Sequence, residues 1–222
     1  MFIISAIEPV KTDSDYININ DPHHFRDFCQ LLYKYLNLYL PLYNNELVLL
    51  CIGTDRATGD SLGPLVGYKL KDITENNIHV FGTLDHPVHA KNLVQTLSYV
   101  KLLHPNALII SIDACLGALE KVDSVSIGTG PIRPGAGLKK DLPAVGDLHI
   151  IGIVNVSTSM NMAVLQNTRL SLVMNMAELI SSGLRHCISL YNYQVGIKKK
   201  NMILSHLIKV VQQSRIRNIF IK

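Results

Sequence analysis

Two aspartates offer the clearest chemistry in this sequence. Asp60 lies in the glycine-rich stretch CIGTDRATGDSLGPLVG (51–67), and Asp113 directly follows the apolar run LIISI (108–112). A carboxylate at the end of a buried strand is costly unless something pairs with it or uses it. If the two acids face each other, both cannot ionise cheaply and one pKa rises. One then acts as general acid while the other activates a water. That arrangement suits amide hydrolysis without a metal or a covalent intermediate. Asp55, in the same turn, could replace either acid. Simpler roles stand beside these: Asp60 as a helix cap, Asp113 as an acceptor for loop amides, and Asp55 as a turn residue.

Other polar residues carry less. The 51–67 stretch lacks the Lys-Ser/Thr ending of a phosphate loop and the spacing of a dinucleotide-binding turn. Asp85, His86 and His89 include metal-ligand types but read more simply as a polar rim. Cys115 needs a nearby base to act as a nucleophile; as a small packed thiol it needs none. Arg133, Lys139 and Lys140 sit in the loop GPIRPGAGLKK (130–140), where they hold a substrate carbonyl or carboxylate or simply form a solvated face.

The acids need a scaffold, and the periodicity supplies one. Apolar or β-branched runs at 47–52, 78–84, 107–112, 122–127 and 148–156 read as strands, and helical spacing covers 22–39, 62–73 and 90–104. A further helix follows the Ser-Thr-Ser segment 157–159 and runs to about 182, with Gly183 as its expected stop. Apolar strands alternating with helices predict an α/β fold: a three-layer, twisted, mostly parallel sheet with helices on both faces. In such sheets ligands gather beyond the carboxyl ends of the strands. That rule places Asp60 and Asp113 at one edge.

With 222 residues, 48% of them hydrophobic, the chain can bury one good core. Charge divides it: residues 1–184 carry 13 basic and 17 acidic side chains, and 185–222 carry 8 basic and none acidic. The expected organisation is a single domain over 1–184 followed by a basic extension over 185–222. The extension is a candidate for nucleic acid or an anionic surface; packing of 202–211 as an amphipathic helix on the acidic body is the simpler role. Cys29, Cys51, Cys115 and Cys187 show no paired spacing, which predicts reduced thiols. No apolar run approaches the roughly 18 residues of a membrane span. The expected location is the cytoplasm.

The segments GTDRATGDSLGP (53–64), IDACLG (112–117), GPIRPGAGLKK (130–140) and GIVNVS (152–157), with FGTLDHPVHAKNL and LQNTRLSLVMNMA, resemble a sporulation family of spore-forming bacteria, the YyaC-type spore protease family. The likeness covers about 22–183. That family is similar to the germination protease, which degrades small acid-soluble spore proteins. The germination protease's T-P-D-A-L-G-P and I-D-A-L segments, each with a catalytic aspartate, fall on Asp60 and Asp113, and its H-P-G-S-G loop falls on 133–137. Hydrogenase-maturation endopeptidases are more distantly similar and hold nickel with two acids and a histidine; the acids map to the same two positions, and the histidine has no placed counterpart. The resemblance implies an aspartic-type endopeptidase of the sporulating cell or forespore. Asp60 and Asp113 would be catalytic. Asp55, Gly130, Arg133, Gly135 and Gly137 would bind a protein or peptide substrate, with small acid-soluble spore proteins the candidates the resemblance names, and an oligomer is compatible with it. No cofactor or metal is expected. The alternative is a non-catalytic sporulation protein that uses the same cleft to bind a peptide or protein partner.

Overall fold

The computed structural model describes residues 15–135 and 142–219, with side chains to 203. The strands are β1 (Asp15–Asn18), β2 (Leu47–Cys51), β3 (Ile78–Phe81), β4 (Leu108–Gly117), β5 (Ser124–Thr129) and β6 (Leu148–Val156). They form one sheet in the order β1-β5-β6-β4-β2-β3. Strands β3, β2, β4 and β6 run parallel, and β5 and β1 add antiparallel at one edge. The short edge strand β1 has no clear sequence signal, because its partner β5 rather than its own apolarity holds it.

The helices are α1 (His24–Tyr39), α2 (Leu62–Leu70), α3 (Leu93–Leu103), α4 (Asn161–Gln166) and α5 (Leu170–Ile219). Strand β2 is buried along its whole length, as expected of a central parallel strand covered on both faces. Alternation divides its side chains. Leu47, Leu49 and Cys51 join the main core with Phe28 and Leu32 of α1, Val66 of α2 and Val173 and Met176 of α5. Val48, Leu50 and Ile52 face the other way, toward Leu93 and Val100 of α3. This is the three-layer α/β arrangement.

Two expectations fail near the C-terminus. The single helix expected over about 160–182 is broken at 167–169 into α4 and α5. There, Asn167 Nδ2 donates to the Ala163 carbonyl at 2.8 Å and Thr168 Oγ1 to the Val164 carbonyl at 2.9 Å. These side chains compete with the backbone for helical carbonyls. The helix also does not stop at Gly183; α5, 50 residues long in all, passes through it. A Cβ on Gly183 would lie 2.4 Å from Cδ1 and Cε1 of Phe28, so the glycine is there for close crossing of α1 and α5. The core follows the helix past residue 184, burying Cys187, Ile188 and Tyr191. The Tyr191 hydroxyl bonds the Asn45 side chain beside β2. Among the described residues, no helix is long and apolar enough to cross a membrane.

Candidate active site

Strand β4 outruns its neighbour. It pairs with β2 only to Ile112, opposite Cys51, yet with β6 as far as Gly117. Beyond Cys51 the chain stays long enough for Ile52 N–H to reach the Ile112 carbonyl at 2.7 Å, then turns aside at Gly53, whose N–H donates to Val88 O at 2.8 Å. A crevice opens beside β4 where β2 leaves, and Asp113 is the first β4 residue facing it. Asp113 therefore lies within a strand rather than past its end, as the apolar run alone suggested. It alternates with Ile109 and Ser111, away from Ile110 and Ile112 in the main core. Past it, the β4–β6 register shifts between Cys115 and Leu116, a bulge of the kind that re-aims side chains beside sites.

Asp60 reaches the crevice from the turn after β2. It sits in a 3-10 turn, Thr58–Ser61, that leads into α2. Its carbonyl accepts from Thr54 N–H at 3.0 Å. Gly53 makes this fold-back possible: its φ is +137°, and a Cβ there would lie 2.0 Å from the Asp60 carbonyl oxygen. The N-cap of α2 falls on Ser61, not on Asp60.

The two acids, 53 positions apart in the chain, interact. Asp113 is buried, at 8% exposure. Burial first, and the charge of Asp60 second, hold its carboxyl well above the usual carboxylate range; the Ala114 N–H, donating to Oδ1 at 2.8 Å, pulls the other way. The pair forms a wall shared by two cavities of about 170 and 220 Å³. The first has an apolar lining of Leu116, Ile132, Ile151 and Leu165, with Arg133, Ser157 and Asn161 as polar members. The second combines Ile52 and Leu142 with the cationic Arg56 and Lys91 and with His89. Burial and the Asp113 charge push the Cys115 thiol up to about 11, as suits a packed thiol rather than a nucleophile.

Of the expected substrate residues, Arg133 lines the first cavity and Gly135 lines both. Asp55 lines neither, because it is exposed at the tip of the turn that delivers Asp60. Gly130 lines neither as well: it sits at the loop's base, its N–H on Asp147 and its carbonyl facing His149 Nδ1 at 3.0 Å. Gly137, Lys139 and Lys140 lie outside the described residues. Sequence reading assigned no site role to Ser157, Asn161, Arg56 and Lys91, which are gathered at the crevice only by the fold. It placed His89 on a rim, whereas its Nδ1 is buried without a hydrogen-bond partner.

Asp60, Asp113 and His89 share the second cavity without forming a gathered two-acid, one-histidine set. Their donor atoms are not gathered within 4.8 Å; among the described residues only Glu46, His79 and His104 are.

A solved structure, the [NiFe] hydrogenase maturation protease HycI from Thermococcus kodakarensis KOD1, aligns over 63% of this chain and 92% of its own with 16% identity and a TM-score of 0.40. The uncharacterized protein YyaC of Bacillus subtilis (strain 168) is 59% identical over 138 residues, 62% of this chain and 67% of that protein. The family described as "Protein of unknown function (DUF1256)" matches residues 16–183, from β1 into α5 and across the whole acid-lined crevice, and the chain belongs to it.

Proposed function

We propose that this chain is a peptidase in which Asp60 and Asp113 share the work of hydrolysis. The observation that carries the reading is the crevice at the end of β2, where burial and a neighbouring charge favour the protonated form of Asp113. Asp60, as carboxylate, takes a proton from a water whose oxygen attacks the scissile carbonyl carbon. Asp113 gives its proton to the carbonyl oxygen as the tetrahedral intermediate forms. Collapse breaks the C–N bond as Asp60 passes its proton to the leaving amine and one hydroxyl of the intermediate returns its proton to Asp113, which leaves the product acid and restores both side chains. Water is the only co-reactant. The cavities on either side of the pair give an extended peptide room on both sides of the cut. The apolar cavity suits an aliphatic or aromatic side chain, and Arg56 and Lys91 suit an acidic one.

The likeness of 53–64 and 112–117 to the two aspartate segments of the germination protease extends this reading to sporulating cells, with small acid-soluble spore proteins as substrate. The test incubates the full chain with purified acid-soluble spore proteins, and separately with sporulating-cell extract, and reads new peptide ends by mass spectrometry. Cleavage by the parent, lost in both Asp60→Asn and Asp113→Asn, is the expected result. Variants that cut as fast as the parent, or a parent that cuts nothing, would overturn it. In the second case, retention of the intact proteins would identify a binding protein in the same cleft.

A further inference from the structure

At the opposite edge of the sheet, three side chains converge for which the peptidase reading has no use. Glu46 immediately precedes β2, and its backbone is fixed on both sides: its N–H donates to Tyr43 O and its carbonyl accepts from Leu108 N–H, both at 2.9 Å. His79 lies in β3, in register with Val48. His104 caps the C-terminus of α3, its N–H on Val100 O at 2.8 Å. Glu46 Oε1 lies 3.1 Å from His79 Nε2 and 2.8 Å from His104 Nδ1. The imidazoles stack at 3.7 Å between centroids, and Phe81 meets His104 edge-on at 6.0 Å. All three donor atoms fall within 4.8 Å of one another. An open cavity of about 340 Å³ reaches the two histidines from solvent. Lys71 also lines it, but its ammonium sits 4.0 Å over the Tyr68 ring centroid.

We propose that Glu46, His79 and His104 bind one divalent transition-metal ion, with zinc best suited to two imidazole nitrogens and a carboxylate. The ion replaces the two hydrogen bonds that now converge on one carboxylate oxygen, and solvent completes its coordination. It ties the start of β2 to β3 and to the end of α3. The five residues of β2, at roughly 3.3 Å each, separate it from the acid pair, so its role is to hold the sheet edge rather than to act on substrate.

The test titrates Co(II), then competing Zn(II), into metal-free full-length protein and follows the ligand-field absorption of a low-coordinate Co(II) site. One equivalent with that absorption is expected. Glu46→Gln and His104→Asn should each weaken binding by more than ~100-fold, beyond what losing an outer-shell partner does. His86→Gln, at an exposed histidine outside the set, should bind like the parent. Zinc at a hundredfold excess over its Kd should raise the melting temperature of the parent by roughly 5–11 °C and leave that of Glu46→Gln unmoved. Should those variants fail to fold, His79→Gln and the parent's zinc-dependent melting decide. Octahedral Co(II) absorption, or equal zinc stabilisation of the parent and of a folded variant of the set, would overturn the site.

Discussion

The crossing of α1 and α5 can be tested at a single hydrogen atom. Gly183→Ala places a methyl 2.4 Å from two ring carbons of Phe28, which is fully buried. Carbon atoms settle at about 3.5–4.0 Å, so the ring or the helix must shift by roughly 1–1.5 Å. Overpacking on that scale costs about 1–3 kcal/mol. Against it stands the helical preference for alanine over glycine, about 1 kcal/mol. The net is a destabilisation of about 1 kcal/mol, which lowers the melting temperature by roughly 2–4 °C for a domain of this size. The same helix supplies the control. A Cβ on Gly196 would meet nothing within 4 Å, so Gly196→Ala should stabilise by up to ~1 kcal/mol. Urea midpoints at constant slope measure both. A double-mutant cycle with Phe28→Leu, which makes room, should return a favourable coupling between the two changes. If Gly183→Ala stabilises as much as Gly196→Ala, the glycine is incidental and the close crossing does not explain why α5 continues past it.

Asp113 makes a pH prediction whose sign follows from burial. Its folded pKa lies above the ordinary value of 3.8, so between the two values the native state binds more protons than the unfolded chain. The full contribution is present below 3.8 and is lost as pH rises through the folded pKa. Asp113→Asn should remove that decline and be more stable than the parent at neutral pH, read as denaturation midpoints from pH ~4 to ~8. At the turn, Gly53→Ala forces a Cβ to within 2.0 Å of the Asp60 carbonyl oxygen at a φ of +137°. It should cost about 3 kcal/mol or more and displace Asp60, so that the proposed cleavage is lost in whatever fraction remains folded. With its thiol pushed up to about 11, Cys115 should be thiolate in only about one molecule in a thousand at pH 8. Iodoacetamide should label it slowly, and Cys115→Ser should keep its activity in the cleavage assay.

The fold was legible where a segment's own pattern decides its structure. Strands β2 and β6, the helix from 24 and the helix after Ser61 all appear where apolar periodicity places them. It was not legible where a neighbour decides. Nothing local marks 15–18 as a strand, since β5 supplies its hydrogen bonds. Gly183 carries the local signature of a helix end, but the ring of Phe28, from the other end of the domain, decides otherwise; Cys187 Sγ donates to the Cys29 carbonyl across the same crossing. Propensity was overridden there by packing.

The site was legible by a different route. Asp113 stands out because an acid interrupts an apolar run, and a chain folds around such a residue only if the acid is satisfied or used. Asp60 stands out because glycines flank it. Neither signal shows that the two meet. Their meeting depends on β2 ending while β4 continues, a difference in strand length that exists only once the strands are paired. The same geometry sorts residues that the sequence alone leaves open. Asp55 and Asp60 share one turn, but a reversal held by Thr54 and Asp60 sends one inward and leaves the other in solvent. Glu46, His79 and His104 are spread over 59 positions and become a cluster only because β2 and β3 start side by side, with α3 ending above them. The chemistry proposed at either end of β2 therefore depends on where strands begin and end. Substitutions that change strand pairing at 47–52 should disturb both sites together, although no residue of β2 itself titrates at neutral pH in either one.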